Sequence, residues 1–149
     1  MIRTSRKKKK NKIDGSFAVL EENLVNSKAF EGLSVYTKWL YMEFKRRFRG
    51  DNARRIILTK EEATKIMAYK TFRESRDKLI ERGIIDLIHT GGLEKQPAIY
   101  GLSNRWKKYG TKDFIKVELK DIWYKEVKTG FKKGNKYGRQ FKKKASNIG

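Results

Sequence analysis

Thr59-Lys60-Glu61-Glu62-Ala63-Thr64-Lys65-Ile66-Met67-Ala68-Tyr69-Lys70-Thr71-Phe72-Arg73-Glu74-Ser75-Arg76-Asp77-Lys78-Leu79-Ile80-Glu81-Arg82-Gly83 is the stretch on which the fold turns. Thr59 with Glu62 three residues later is a capping box, so a helix opens at Lys60. Glu61 and Glu62 are adjacent and project from different parts of that helix, which assigns them to capping rather than to an acid and base pair. The first helix, about 60–66, is brief. Met67-Ala68-Tyr69 follows, then a second helix from about Lys70 to Arg82, stopped by Gly83. Phe72, Ser75, Leu79 and the stem of Arg76 face inward in this second helix. Lys70, Thr71, Arg73, Glu74, Asp77 and Lys78 lie on its outer faces.

Upstream, Leu33, Tyr36, Leu40, Phe44 and Phe48 recur at spacings of three and four, flanked by Val35, Trp39 and Met42. That pattern predicts a buried amphipathic helix capped by Ser34, with Lys45, Arg46, Arg47 and Arg49 near its end and Gly50-Asp51-Asn52 terminating it. Arg54-Arg55-Ile56-Ile57-Leu58 is short and β-branched and predicts a strand. Downstream, Ile84 to His89 and Ala98 to Leu102 predict two strands joined at Gly91-Gly92, a β-hairpin. No Gly-Lys-Ser/Thr motif or following helix accompanies that glycine pair, so it reads as a turn and not as a nucleotide cradle. The expected fold is α+β, with three core helices and a small hairpin.

The 149 residues carry 38 Lys and Arg against 17 Asp and Glu, a formal charge of +21. A charge of that size favours a polyanionic partner. Residues 1–12 hold seven basic and no acidic residues, and residues 125–149 hold nine basic and one acidic, so the two ends contribute 15 of the 21 excess charges. The expected organisation is a basic arm over 1–15, a folded body over 16–112 and a basic extension over 113–149. The first arm, with Arg6, Lys7, Lys8, Lys9 and Lys10, lacks apolar anchors and suits either phosphate contact or a solvated tail. In the second, Phe131, Tyr137 and Phe141 alternate with Lys132, Lys133, Lys136, Arg139, Lys142 and Lys143, a composition that suits phosphates and also stacking on unpaired bases. Residues 113–124 fit a helix through Ile115, Leu119 and Ile122 and also partly a strand, a segment that closes the core or pairs two subunits.

Several chemistries are excluded or disfavoured. Without cysteine there is no disulfide, thiolate metal site or cysteine nucleophile. His89 is the sole histidine, so a histidine metal cluster within one chain is impossible. The acidic residues are scattered, and neither a Ser/His/Asp arrangement nor a Walker loop is present, so neither catalysis nor a cofactor is expected. No apolar run approaches the ~20 residues that span a bilayer. The expected location is the cytoplasm, in association with the nucleoid.

Ser27-Lys28-Ala29-Phe30-Glu31-Gly32-Leu33-Ser34, Leu79-Ile80-Glu81-Arg82-Gly83-Ile84-Ile85 and the run from His89-Thr90-Gly91-Gly92 to Leu102-Ser103-Asn104-Arg105-Trp106 carry a family resemblance. From Ser16 to about Phe114, the order strand, helix, helix-turn-helix and wing resembles bacterial winged helix-turn-helix proteins of phages, plasmids and integrative elements. Replication initiators and regulators are among them. The resemblance implies binding of double-stranded DNA in regulation or replication. The chain departs from it at Met67-Ala68-Tyr69, where many such motifs place a glycine. Its hairpin offers only Lys95, beside Glu94, so helix and arms must supply most phosphate contacts.

Within that frame Arg73 is the candidate for bidentate contact with guanine, while Lys70 and Thr71 touch phosphate or a thymine methyl. Glu74 either accepts from a cytosine amino group or pairs with Lys78 on the helix. Behind the hairpin, Trp106 packs while Arg105, Lys107 and Lys108 face phosphate. The competing reading is an RNA-binding or ribosome-associated basic protein, with RNA or single-stranded DNA as partner, and an assembly module that uses the fold for protein contact is a third class.

Overall fold

A computed structural model describes residues 13–91 and 96–120. The predicted basic residues of both arms, together with Lys95, lie outside the described residues. In chain order the elements are α1 (Glu22–Val25), α2 (Val35–Arg47), β1 (Ile56–Ile57), α3 (Lys60–Ile66), α4 (Tyr69–Glu81), β2 (Ile85–His89), β3 (Ile99–Leu102) and a 3-10 turn, Arg105–Lys108. Over the described residues the chain is α+β, with four helices and a small antiparallel sheet of order β1-β3-β2.

Local chemistry explains the helix boundaries. Ser34 Oγ accepts from the Thr37 backbone N–H at 3.1 Å and opens α2. At α3 the capping box is complete: Thr59 Oγ1 accepts from Glu62 N at 3.2 Å, and Glu62 Oε2 accepts from Thr59 N at 3.1 Å. Lys45, Arg46 and Arg47 end α2, where cations suit the carbonyl end of a helix dipole. Arg46 Nη1 and Arg47 Nη1 also reach the buried Glu43 carboxylate at 3.0 and 2.8 Å. Burial alone would push that carboxyl upward, but the hydrogen bonds and charges of the two arginines outweigh it and hold it below its usual value.

The α3–α4 junction accounts for the missing glycine. Met67 lies at φ −155°, ψ 164° and Ala68 at φ −57°, ψ 144°, both in extended regions open to any L-residue. A connection of two extended residues turns the chain without a positive φ, so no glycine is required. Met67 is buried and pins the junction to the core.

The core joins α2, α4 and the sheet. Leu40, Phe44, Leu79, Ile80, Ile85 and Tyr100 are almost fully buried. The Phe44 and Tyr100 rings meet edge to face with centroids 5.0 Å apart, tying α2 to the central strand. β3 pairs with β1 through Ile56↔Tyr100 and Ile57↔Ile99, and with β2 through Ile85↔Leu102, Asp86↔Gly101 and Leu87↔Tyr100. An irregularity between Leu87 and His89 shifts the register towards the hairpin tip.

Four expectations are corrected. The predicted stripe on α2 holds at Leu33, Leu40, Phe44 and Phe48 but fails at Tyr36, which is 60% exposed, and at the flanking Trp39, which is 52% exposed; Thr37 and Tyr41 turn inward instead. α2 carries apolar residues on two faces, so spacing from Leu33 placed the centre of the inward face but not its edge, where Tyr41 and not Tyr36 is buried. The strand expected first in the order from Ser16 does not form, since no strand precedes α1 among the described residues. β1 is two residues and not five, because only Ile56 and Ile57 meet β3. Residues 113–118 are not helical, with Ile115 exposed and Val117 and Leu119 packed against the core; a helix opens only at 119–120, and the rest of the segment expected over 113–124 lies outside the described residues.

Candidate nucleic-acid interface

α4 has one buried and one open side. Phe72, Ser75, Arg76, Leu79 and Ile80 are buried. Tyr69, Lys70, Arg73, Glu74 and Lys78 are exposed, with Thr71 and Asp77 half-buried between the two sides. The outer residues expected to approach a ligand are therefore available, and the first two turns carry most of them. The Lys70 side chain is 81% exposed, and its Nζ lies 4.0 Å from Glu74 Oε1. Lys78 pairs with Glu81 at 3.4 Å. Glu74 thus faces back along the helix to Lys70 instead of forward to Lys78, a correction of partner within the same i,i+4 geometry.

Asp77 flanks this surface. Its carboxyl is raised above the usual value because partial burial outweighs the opposing charges of Arg76 and Arg73. Arg76 donates to it from Nε at 3.2 Å.

Between the start of α3, the start of α4 and the hairpin lies an open cleft of about 630 Å³. Tyr69 and Lys60 stand on its rim, and Leu58, Phe72 and Tyr100 line its apolar wall. Tyr69 and Lys60 were not among the predicted site residues. Lys60 Nζ is 4.4 Å from the Tyr69 ring centroid and Arg73 Cζ is 5.2 Å from it, which gathers two cations from different helices on one aromatic ring. The capping box that fixes the start of α3 offered the signal for Lys60. Tyr69 was hidden because the helix was expected to open one residue later.

The structure withdraws Arg105 from the phosphate-facing set. Its side chain is only 13% exposed. Nε donates to Asp86 Oδ1 at 2.8 Å, Nη2 to the Ile80 carbonyl at 2.9 Å and Nη1 to the Ile115 carbonyl at 2.9 Å. An arginine with its fork committed to backbone and carboxylate is a structural clamp. Trp106 is buried, as its packing role requires.

Lys107 and Lys108 are exposed on the 3-10 turn, but away from the start of α4. That turn adjoins the other end of the helix, where Gly83 abuts Arg105 and Trp106. Arg82 there binds the carbonyls of Lys28, Ala29 and Glu31 and covers the Tyr109 ring at 4.9 Å. Tyr69 and Glu81 are separated by about 18 Å of helical rise. Among the described residues, the predicted basic residues therefore fall on two surfaces, Lys70 and Arg73 beside Lys60 on one, Lys107 and Lys108 on the other.

Among the described residues no cluster of three or more His, Cys, Asp or Glu side chains is arranged to hold a metal ion. None of the described helices is long and apolar enough to cross a membrane. Neither the family models nor the curated proteins nor the solved structures compared with this chain include a match.

Proposed function

We propose that this chain is a winged helix-turn-helix protein that binds double-stranded DNA, with α4 in the major groove. The observation that carries the reading is the disposition of α4. It follows α3 after two residues, buries one side against α2 and the sheet, and presents Tyr69, Lys70, Arg73 and Glu74 from its opening turns. A helix so mounted enters a groove about 12 Å wide without disturbing the core behind it. The β2–β3 hairpin stands beside α4 as the wing. Arg73 reads guanine, Lys70, Thr71 and Lys60 contact phosphate or groove wall, and the basic ends add salt-sensitive affinity. A regulator or a replication-associated factor would use such a module equally.

Selection of bound duplexes from a random pool at stated ionic strength tests the reading. The expected outcome is a shared short motif, with Arg73→Ala relaxing preference at one guanine by about tenfold. Removal of residues 1–12 and 125–149 should flatten the salt dependence while leaving the motif intact. Failure to enrich any motif, or structured RNA outcompeting duplex DNA, would overturn it.

A further inference from the structure

Lys60 and Arg73 sit on different helices, and no described carboxylate lies within ion-pair distance of either. Their common neighbour is the Tyr69 ring, at 4.4 Å from Lys60 Nζ and 5.2 Å from Arg73 Cζ. The ring is itself braced: it stacks on Phe72 at 28° with centroids 6.2 Å apart, and Phe72 is buried in the core. The chain of support thus runs from core to Phe72, to Tyr69, to two cations at the rim of the cleft. A long cationic side chain on a helix surface ordinarily samples many rotamers, and ordering it on binding opposes affinity. A cation resting on an anchored aromatic face begins closer to its bound arrangement.

We propose that Tyr69 is the positioning residue of the reading surface, holding Arg73 and Lys60 at a fixed separation before DNA arrives. The inference rests on the proposed reading of α4. In it, Arg73 makes the base contact and Lys60 a phosphate contact, so a fixed separation links base recognition to backbone register. Lys70 differs, because Glu74 on the next turn restrains it. The aromatic face and not the phenol hydroxyl is the operative feature, so phenylalanine should serve and an aliphatic side chain should not.

Two measurements on the full chain test this, comparing wild type with Tyr69→Phe and Tyr69→Leu. In the free protein, proton NMR should show the side-chain methylenes of Arg73 and Lys60 shifted upfield by the ring current in wild type and in Tyr69→Phe, and returned to ordinary values in Tyr69→Leu. On the selected duplex, Tyr69→Leu should lose about tenfold in discrimination at one base pair, with an unaltered salt slope because no charge is removed. Tyr69→Phe should keep that discrimination. Absent ring-current shifts, a Tyr69→Leu protein that discriminates like wild type, or a Tyr69→Phe protein as impaired as Tyr69→Leu, would overturn the proposal. A wild type without sequence preference would instead sink the DNA reading, and the NMR comparison would still decide whether the ring holds the cations.

Discussion

Arg105 grips Asp86 from behind the hairpin, with Nε donating to Oδ1 at 2.8 Å and Nη2 2.7 Å from the same oxygen. The other carboxylate oxygen takes a bond from Arg54 Nη1 at 2.8 Å. Arg54 reaches it across Gly101 on β3, where an added Cβ would lie 2.9 Å from Arg54 Nη1. One carboxylate on β2 therefore links the approach to β1, the central strand and the turn after β3. Arg105→Ala should cost about 2–3 kcal/mol, since it strands part of Asp86 and the carbonyls of Ile80, Ile85 and Ile115, and urea denaturation would measure it. Its salt slope on duplex DNA should match wild type; a slope lowered by one phosphate's worth would return Arg105 to the binding surface.

Acid should weaken the fold through Glu43 and Asp86. Burial acts to raise both carboxyls, yet their arginine partners leave each below its ordinary 4.5 or 3.8. A depressed native pKa gives stability that is complete above the unfolded value and is lost as pH falls through the native one. Unfolding free energy should thus decline from about pH 4.5 downward. In Glu43→Gln that decline should be shallower, and an unchanged acid limb would contradict the assignment.

Gly83→Ala should cost about 2–4 kcal/mol, because the residue has φ +76° and a Cβ would meet Arg105 Cβ at 2.8 Å and the Trp106 backbone nitrogen at 2.9 Å. Gly110→Ala shares the positive φ, at +82°, but its Cβ would find only Lys28 Cδ at 3.6 Å. Its loss should be about 1 kcal/mol. Equal losses in thermal melts would show that space at Gly83 is not limiting.

The two faces of α2 should respond differently to mutation. Phe44→Ala empties a buried site beside Tyr100 and should cost about 3–5 kcal/mol. Trp39→Gln removes an exposed ring and should stay within about 0.5 kcal/mol. A large loss at Trp39 would mean that the ring is covered in solution.

Much of the architecture was legible because it is written locally. Thr59 with Glu62, Ser34 before α2 and the glycine after α4 mark boundaries through the backbone groups that they satisfy. The inward set on α4, Phe72, Ser75, Leu79 and the Arg76 stem, followed from a single apolar face. α2 was legible at Leu40 and Phe44 but not at its edge, because Tyr36 competes with Tyr41 for the core and only the packed neighbours choose between them. The clamp at Arg105 was illegible for the same reason: Asp86, Ile80 and Ile115 are distant in sequence, and an arginine beside lysines looks like one more phosphate ligand. Tyr69 escaped because its value lies in what rests upon it.

The middle strand of the sheet is also the last to be made. β1 and β2 both wait for β3, and Ile56 must wait for Tyr100, 44 positions later, before it has a strand partner. During synthesis α2 and α4 can cover each other, but their sheet-facing apolar surface stays open until residue 102 leaves the ribosome. Nascent chains halted before Ile99 should accordingly need chaperone protection, and release beyond Leu119, once Trp106 and Val117 are also free to pack, should let the body close in a single step.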